Sequence, residues 1–216
     1  MTLFDELLRE AKAGNTQAQM EVAEAYFKGI YVIKNYNEAL YWLEKASDNN
    51  KYAPMQMTNM YRNGIGVKKD LKKAFEVALE YANKGNEILM FELAGDYLNG
   101  VGCDPNLDLA LKWYQKSFEA GYGDSAYYLG YLYQTNNAIK DNEKVIEWYT
   151  KAATLNNGRA CYNLGYIYHD GTIVKKDNQK ALEYLNKAVN LGVNEAKALI
   201  DEVNADNGYF GYSIYI

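Results

Sequence analysis

A period of 35 or 36 residues runs through the sequence and constrains its fold more than any other feature. One column of this repeat is tyrosine, at Tyr26, Tyr61, Tyr97, Tyr133 and Tyr168. A second column is mainly tryptophan, at Trp42, Val77, Trp113, Trp148 and Tyr184. Five units in register are far beyond chance. A period of roughly 20 to 50 residues indicates an array of stacked structural repeats.

Each unit has the pattern of a helix, a turn and a second helix. Ala160, Leu164 and Tyr168 recur at helical spacing and form one stripe. Beside the leucine column lies a column of small residues, which lets a neighbouring helix approach closely: Ala23, Thr58, Ala94, Gly130 and Gly165. Glycines such as Gly64 and Gly66 then end the first helix, because glycine adopts positive φ at low cost.

The ends of the second helix are also predicted. Polar residues lie where its N-cap would fall, at Asn35, Asp70, Asn106, Asn142 and Asp177. Its C-terminal end is predicted at a glycine or at an asparagine in its place: Gly85, Gly121, Gly192, Asn50 and Asn156. Repeat four departs from the pattern, because its loop 136–141 lacks both glycines and one residue is missing between Tyr133 and Trp148.

Together these columns resemble the Sel-1-like repeat (SLR), a relative of the tetratricopeptide repeat. The resemblance covers nearly the whole chain, and repeat two carries it as Tyr61, Gly64, Gly66, Val67, Asp70 and Ala74. It implies an all-α fold, a right-handed superhelical solenoid of helix–turn–helix repeats with five full repeats and half-repeat caps. We expect one domain over residues 1–207, with half-repeats at 1–14 and 193–207 and full repeats at 15–50, 51–85, 86–121, 122–156 and 157–192.

The two ends of the array are predicted to be caps. Repeat arrays need terminal units with a polar outer face, so the lone helices at 2–13 and 194–206 are expected to complete the array. The tail 208–216 is uncharged and aromatic. We expect it to fold back over the final helix as a structural cap. The alternative is that it engages a partner by strand-like pairing.

Charge and hydropathy bear on location and partners. The net charge of −5 argues against a nucleic-acid partner, which would require a basic surface. The early Asp5 and Glu6 interrupt any signal-peptide apolar region, and no apolar run approaches the roughly 18 residues of a membrane span. These features predict a cytoplasmic protein that does not enter the membrane, and a monomer is favoured.

No constellation of residues indicates catalysis. His169 is the single histidine and has no histidine partner for a metal site or a proton relay. Cys103 and Cys161 show neither disulfide nor zinc spacing. The pairs Gly64–Gly66 and Gly100–Gly102 follow no strand and carry no GK[ST] ending, so phosphate-loop function is excluded on context. We therefore predict a protein that is not an enzyme and uses no metal or cofactor.

A binding surface follows from the resemblance to tetratricopeptide repeats, in which first helices line the concave face. We transfer the inward-facing positions of those first helices to the five repeats of this sequence. The candidate residues of the resulting partner-binding groove are Phe27, Asn59, Arg62, Phe91, Tyr127, Tyr131, Gln134, Tyr162, Tyr166 and His169. Aromatic residues are enriched at interfaces. The alternative is that some of them pack as core, Met20 and Met55 in the same register being the first examples. For His169 a plain surface role is the alternative.

The function implied is a non-catalytic adaptor or scaffold that holds a protein or peptide in the groove. SLR proteins also resemble some bacterial immunity proteins, so neutralisation of a cognate toxin is the named alternative. A cysteine-rich secreted branch is linked to β-lactam binding and hydrolysis. That branch has a disulfide in each repeat, which two cysteines cannot supply.

Overall fold

In the computed structural model, which describes residues 2–206, every regular element is an α-helix. The chain divides into two compact units, with the boundary between Ala120 and Gly121. The first unit contains α1 (Leu3–Lys12), α2 (Thr16–Lys28), α3 (Tyr36–Ala46), α4 (Tyr52–Asn63), α5 (Leu71–Asn83), α6 (Glu87–Asn99) and α7 (Leu107–Glu119). The second contains α8 (Asp124–Thr135), α9 (Asn142–Thr154), α10 (Gly158–Asp170), α11 (Asn178–Asn190) and α12 (Ala196–Asp206).

Neighbouring helices pair as the repeat predicts. In the first unit α2 packs against α3, α4 against α5 and α6 against α7, and α1 lies on α2. In the second unit α8 packs against α9, α10 against α11, and α12 lies on α11. The predicted all-α fold of helix–turn–helix repeats with a lone helix at each end is confirmed. A single domain over 1–207 stays a prediction, and the tail 208–216 lies outside the described residues.

Four of the five predicted N-caps are confirmed. Asn35, Asp70, Asn106 and Asp177 each accept hydrogen bonds from backbone N–H groups of the first turn. Asn142 was the wrong residue, because it is the first residue of α9 and Asp141 caps that helix. Asp141 accepts from the backbone N–H groups of Glu143 and Lys144, both at 3.1 Å. The residue missing from repeat four lies before the cap, so counting from the tyrosine column overshoots by one.

The predicted C-terminal ends are confirmed except at Asn50. The glycines of this position adopt positive φ, and so does Asn156 at φ 60°. Asn50 does not, because α3 already ends at Ala46 and is followed by Ser47 in right-handed conformation. The Asn50 side chain instead accepts a hydrogen bond from the backbone N–H of Tyr52, 2.9 Å away at the start of α4.

Two glycines of the small-residue column lie directly against large side chains of the paired helix. A Cβ on Gly130 would lie 2.6 Å from the ring of Tyr149, and one on Gly165 would lie 2.5 Å from Leu185. Tyr149 and Leu185 are fully buried on the second helices α9 and α11. Glycine therefore leaves room for a large side chain of the paired helix, which agrees with the role predicted for this column at these two positions.

Candidate partner-binding surface

In the first unit, three of the predicted groove residues line clefts between first helices. A cleft of about 500 Å³ between α2 and α4 includes Met20, Glu24, Phe27 and Asn59. A cleft of about 490 Å³ between α4 and α6 includes Met55, Asn59 and Arg62. Met20 and Met55 are half-buried and open onto these clefts, so they are not closed core residues.

Phe91 packs differently from the other candidates of the first unit. Its ring meets that of Tyr114 on α7 edge to face, with centroids 5.4 Å apart. Tyr114 is buried on the second helix of the same repeat. Phe91 therefore secures the pairing of α6 with α7 as well as forming part of the first-helix face. Phe27 makes a similar edge contact with Tyr36 at 5.4 Å, yet it also lines a cleft.

Arg62 is held by two carboxylates of the next first helix. Its Nη2 lies 2.9 Å from Oδ2 of Asp96 and 3.6 Å from Oε2 of Glu92. Asp96 is 2% exposed, and burial raises its pKa although Arg62 opposes that shift. Burial also raises the pKa of Glu92, which Arg62 lowers and the nearby Asp96 raises further. The guanidinium is thus anchored, and its charge is shared between two acids.

Asp96 and Glu92 were missed by the sequence reasoning. Asp96 lies in the column just before the repeat tyrosine, where the other repeats place Ala25, Met60, Leu132 and Ile167. Those four side chains are all buried and apolar. One carboxylate in an otherwise apolar column was a visible signal, because a buried charge requires a partner. That partner is Arg62, 34 residues earlier.

In the second unit the candidate tyrosines separate into packed and exposed ones. The rings of Tyr127 and Tyr131 stack at 6.5 Å, and Tyr127 also lies 5.9 Å from the ring of Tyr149. Tyr127 and Tyr162 are half-buried, whereas Tyr131 is 46% exposed and Tyr166 is 47% exposed. Burial raises the pKa of Tyr127, which hydrogen-bonds with the side chain of Asn163.

Gln134 and His169 are engaged within the second unit. The hydroxyl of the buried Tyr149 donates to Oε1 of Gln134 at 2.7 Å. The Nδ1 of His169 lies 3.1 Å from Oδ1 of Asn178, and its Nε2 lies 3.9 Å from a carboxylate oxygen of Asp206 on α12. The His169 side chain is 15% exposed. Both residues are therefore positioned more as supports of the surface than as projecting contacts.

Some types of site and segment do not occur in the described part of the chain. Residues 2–206 hold no group of three or more His, Cys, Asp or Glu arranged to ligate a metal. In the same stretch no helix has both the length and the apolar character to cross a membrane. Cys103 and Cys161 are free thiols, and burial raises the pKa of each.

Paired short helices repeated in tandem, with clefts between successive first helices, define a helical repeat protein of the tetratricopeptide type. Residues 16–51, 52–76, 89–122, 123–157 and 158–193 match the Sel1 repeat, and the chain belongs to that family. The prediction drawn from the repeat columns is confirmed. Sel1 repeats are in general protein-interaction scaffolds without enzymatic activity.

Several solved structures share this fold. A protective antigen of uropathogenic Escherichia coli with an SLR fold has a TM-score of 0.77 at 26% identity, covering 94% of this chain and 44% of the antigen. A Sel1 repeat protein from Oxalobacter formigenes has a TM-score of 0.72 at 24% identity, covering 92% and 79%. An immunity protein from Pseudomonas aeruginosa has a TM-score of 0.58 at 18% identity, covering 92% and 77%.

A curated relative matches over a shorter stretch. The chitin synthase regulator SKT5 of Saccharomyces cerevisiae is 34% identical over 79 residues. That match takes in 36% of this chain and 11% of the regulator. The chain thus spans less than half of the antigen and about a tenth of the regulator.

Proposed function

We propose that this chain is a non-catalytic interaction module that binds a protein or peptide partner on its first-helix surface. The ten predicted groove residues are its proposed contacts, four on first helices of the first unit and six on first helices of the second unit, as an adaptor or scaffold would use them. The observation that carries the proposal is the exposure of Tyr131 and Tyr166, which occupy the same register position on α8 and α10. Large aromatic side chains with nearly half of their area in water are typical interface anchors.

The test is partner capture by the full chain and by a Tyr131→Ala/Tyr166→Ala variant. Lysate of the native host is passed over each immobilised protein, and retained proteins are compared by quantitative mass spectrometry. A partner enriched by the wild-type chain should fall by about tenfold or more, since hot-spot truncations cost about 2 kcal/mol or more. Thermal unfolding should change little, because exposed side chains contribute little to stability.

The matched control changes two exposed apolar residues that lie off this surface. Tyr41 on α3 is 48% exposed, and Leu155 follows α9 with 55% exposure. A Tyr41→Ala/Leu155→Ala variant should capture the partner as the wild type does. Equal capture by all three proteins would refute the assignment of the first-helix surface, and equal loss in both variants would show that any exposed apolar residue serves.

Neutralisation of a toxin is a more specific function that also works by binding a protein partner. Its support is the net charge of −5, which suits a basic protein partner. The test is co-purification with the product of an adjacent toxin-like gene, followed by rescue of growth when both are expressed. Binding without rescue would leave an adaptor and exclude an immunity role toward that toxin.

We further propose that the protein works in the cytoplasm. Free thiols at Cys103 and Cys161 are compatible with a reducing compartment. Fractionation of native cells, with compartment markers, tests this location. Recovery of the protein in a secreted or periplasmic fraction would overturn it.

A further inference from the structure

The two clefts of the first unit meet on α4. Gln56 and Asn59 line both of them, so the two clefts adjoin across α4 and together extend from α2 to α6. Apolar side chains contribute to it along its length: Met20 and Phe27 in the first cleft, and Met55 in the second. We call this surface the first-unit groove. Its apolar side chains suit the apolar face of a partner segment.

Three carboxylates and two cations line the first-unit groove, so its walls carry a small excess of negative charge. Glu21 and Glu24 line its first part and Glu92 its second, and Asp96 lies beneath Arg62. Lys28 forms an ion pair with Glu24, and the shorter ion pair of Arg62 is with Asp96. Among the described residues Glu21 thus forms no ion pair, and Glu92 has only the longer of the two contacts that Arg62 makes. Glu21 accepts from Nε2 of Gln17 at 2.8 Å, and Glu92 lies 3.6 Å from Arg62.

The two carboxylates occupy one register position. Glu21 and Glu92 are two repeats apart, and the intervening position is Gln56. The adjacent register position carries Met20 and Met55. An acidic row therefore runs beside an apolar row across successive first helices. A ligand that complements both rows has one apolar face and one basic face, which is the pattern of a basic amphipathic segment.

Resting on the proposed function, we infer that the first-unit groove binds a basic amphipathic segment of the protein partner. Its apolar side chains lie against Met20, Phe27 and Met55, and its lysine or arginine side chains pair with Glu21 and Glu92. An anionic group is disfavoured because the Arg62 guanidinium is already shared by two carboxylates. A second copy of this chain is disfavoured by its own negative charge of −5.

The test uses labelled helical peptides and the full chain. One peptide has leucine on one face and lysine on the other; a second has glutamate for each lysine, and a third has serine for each leucine. Fluorescence anisotropy should detect binding of the first peptide at low salt and at least about tenfold weaker binding of the others, each tenfold corresponding to about 1.4 kcal/mol. Added salt should weaken the first complex.

Matched variants separate the groove from general attraction to an acidic protein. Glu21→Gln/Glu92→Gln should weaken the lysine peptide by about tenfold. Glu76→Gln/Glu119→Gln removes the same charge from exposed sites on the second helices α5 and α7 and should weaken it less than about twofold. Equal effects of the two variants, or equal binding of the lysine and glutamate peptides, would overturn the inference.

The experiments distinguish failure of the basic-segment inference from failure of the proposed function. If capture still depends on Tyr131 and Tyr166 while the peptides show no charge preference, the module stands and the basic segment does not. Preference for the serine peptide over the leucine peptide would also refute the inference, since the apolar row would have no role. Self-association of the chain that blocks the groove would identify a second copy as its occupant and overturn the inference.

Discussion

Tyr31 adopts a left-handed backbone conformation that glycine occupies at the same position in the next two repeats. Its φ is 64°, against 71° for Gly66 and 76° for Gly102. A Cβ on Gly66 would lie 1.9 Å from the ring of Tyr36, and one on Gly102 would lie 2.2 Å from the carbonyl oxygen of Leu71. Repeat one has open space here, since Tyr31 is 72% exposed.

Replacing Tyr31 separates the backbone effect from the side chain. The left-handed conformation costs a residue with a Cβ about 1–2 kcal/mol. Glycine avoids this cost, although it also gives the unfolded chain more conformational entropy, which offsets part of the gain. Tyr31→Gly should therefore be more stable than Tyr31→Ala by about 1 kcal/mol. Urea unfolding followed by circular dichroism measures the difference. Equal midpoints for the two variants would contradict the assigned strain.

Two lysines explain part of the repeat pattern at the scale of one helix. The repeat places a lysine three residues after the tryptophan, and on a helix such residues are neighbours. The Nζ of Lys116 lies 4.3 Å from the ring centroid of Trp113, and that of Lys151 lies 4.0 Å from the centroid of Trp148. The lysine stem thus covers the tryptophan face, and its charge interacts with the ring.

Contact between paired helices gives a prediction at the scale of one repeat. Gly130→Ala should destabilise the fold by about 1–3 kcal/mol, because the added methyl group would overlap the buried Tyr149 ring. Gly95→Ala on α6 is the control, since its added Cβ meets only the Tyr114 hydroxyl oxygen, at 3.6 Å. That change should stabilise the helix by up to about 1 kcal/mol. Thermal melts that rank the two variants in the opposite order would refute the packing argument.

Burial of the Asp96 and Glu92 carboxylates on α6 gives a pH dependence, because burial raises the pKa of both groups more than Arg62 lowers it. Because the pKa values of Asp96 and Glu92 are raised, the folded state takes up protons at higher pH than the unfolded state. Ionisation of these two carboxyl groups therefore lowers the free energy of unfolding at neutral pH. This stability is regained as the pH falls through their raised pKa values. Below the usual carboxyl range of about pH 4, Asp96 and Glu92 are protonated in both the folded and the unfolded state.

An Asp96→Asn/Glu92→Gln variant should accordingly be more stable than the wild type at pH 7. Its advantage should shrink as pH falls and vanish below the usual carboxyl range, because the wild-type groups are then neutral as well. Urea midpoints across this pH range measure the difference. The exposed pair Glu76→Gln/Glu119→Gln is the control. A constant advantage at every pH would mean that protonation is not its cause.

At the scale of the whole molecule, much of the fold could be predicted from local sequence signals. Three local signals carry most of this information: a glycine after a helix, a capping residue before a helix and an apolar stripe along a helix. Each acts within a few residues, and its recurrence in every repeat makes it easy to recognise. The errors at Asn142 and Asn50 arose where repeats differ in length or end early. A one-residue change in a loop shifts any register counted across it.

The candidate surface was less predictable, because its side chains depend on neighbouring helices. Phe27 and Phe91 are both half-buried first-helix residues, yet only Phe27 is among the residues lining the two clefts. The role of Arg62 depends on Asp96, 34 residues later in the chain. Gln134 accepts a hydrogen bond from the second helix of its repeat. None of these relations follows from the column a residue occupies.

The sequence by itself determined the repeat, its helices and most of their caps, because these rest on periodicity and on backbone preferences of single residues. Only the tertiary structure decided which first-helix residues face water and which are held by partners. It exposed Tyr131 and Tyr166, packed Tyr127 against Tyr149, and placed Asp96 under Arg62. The physical reason is that burial and charge pairing are set by side chains from other helices, which local sequence does not specify.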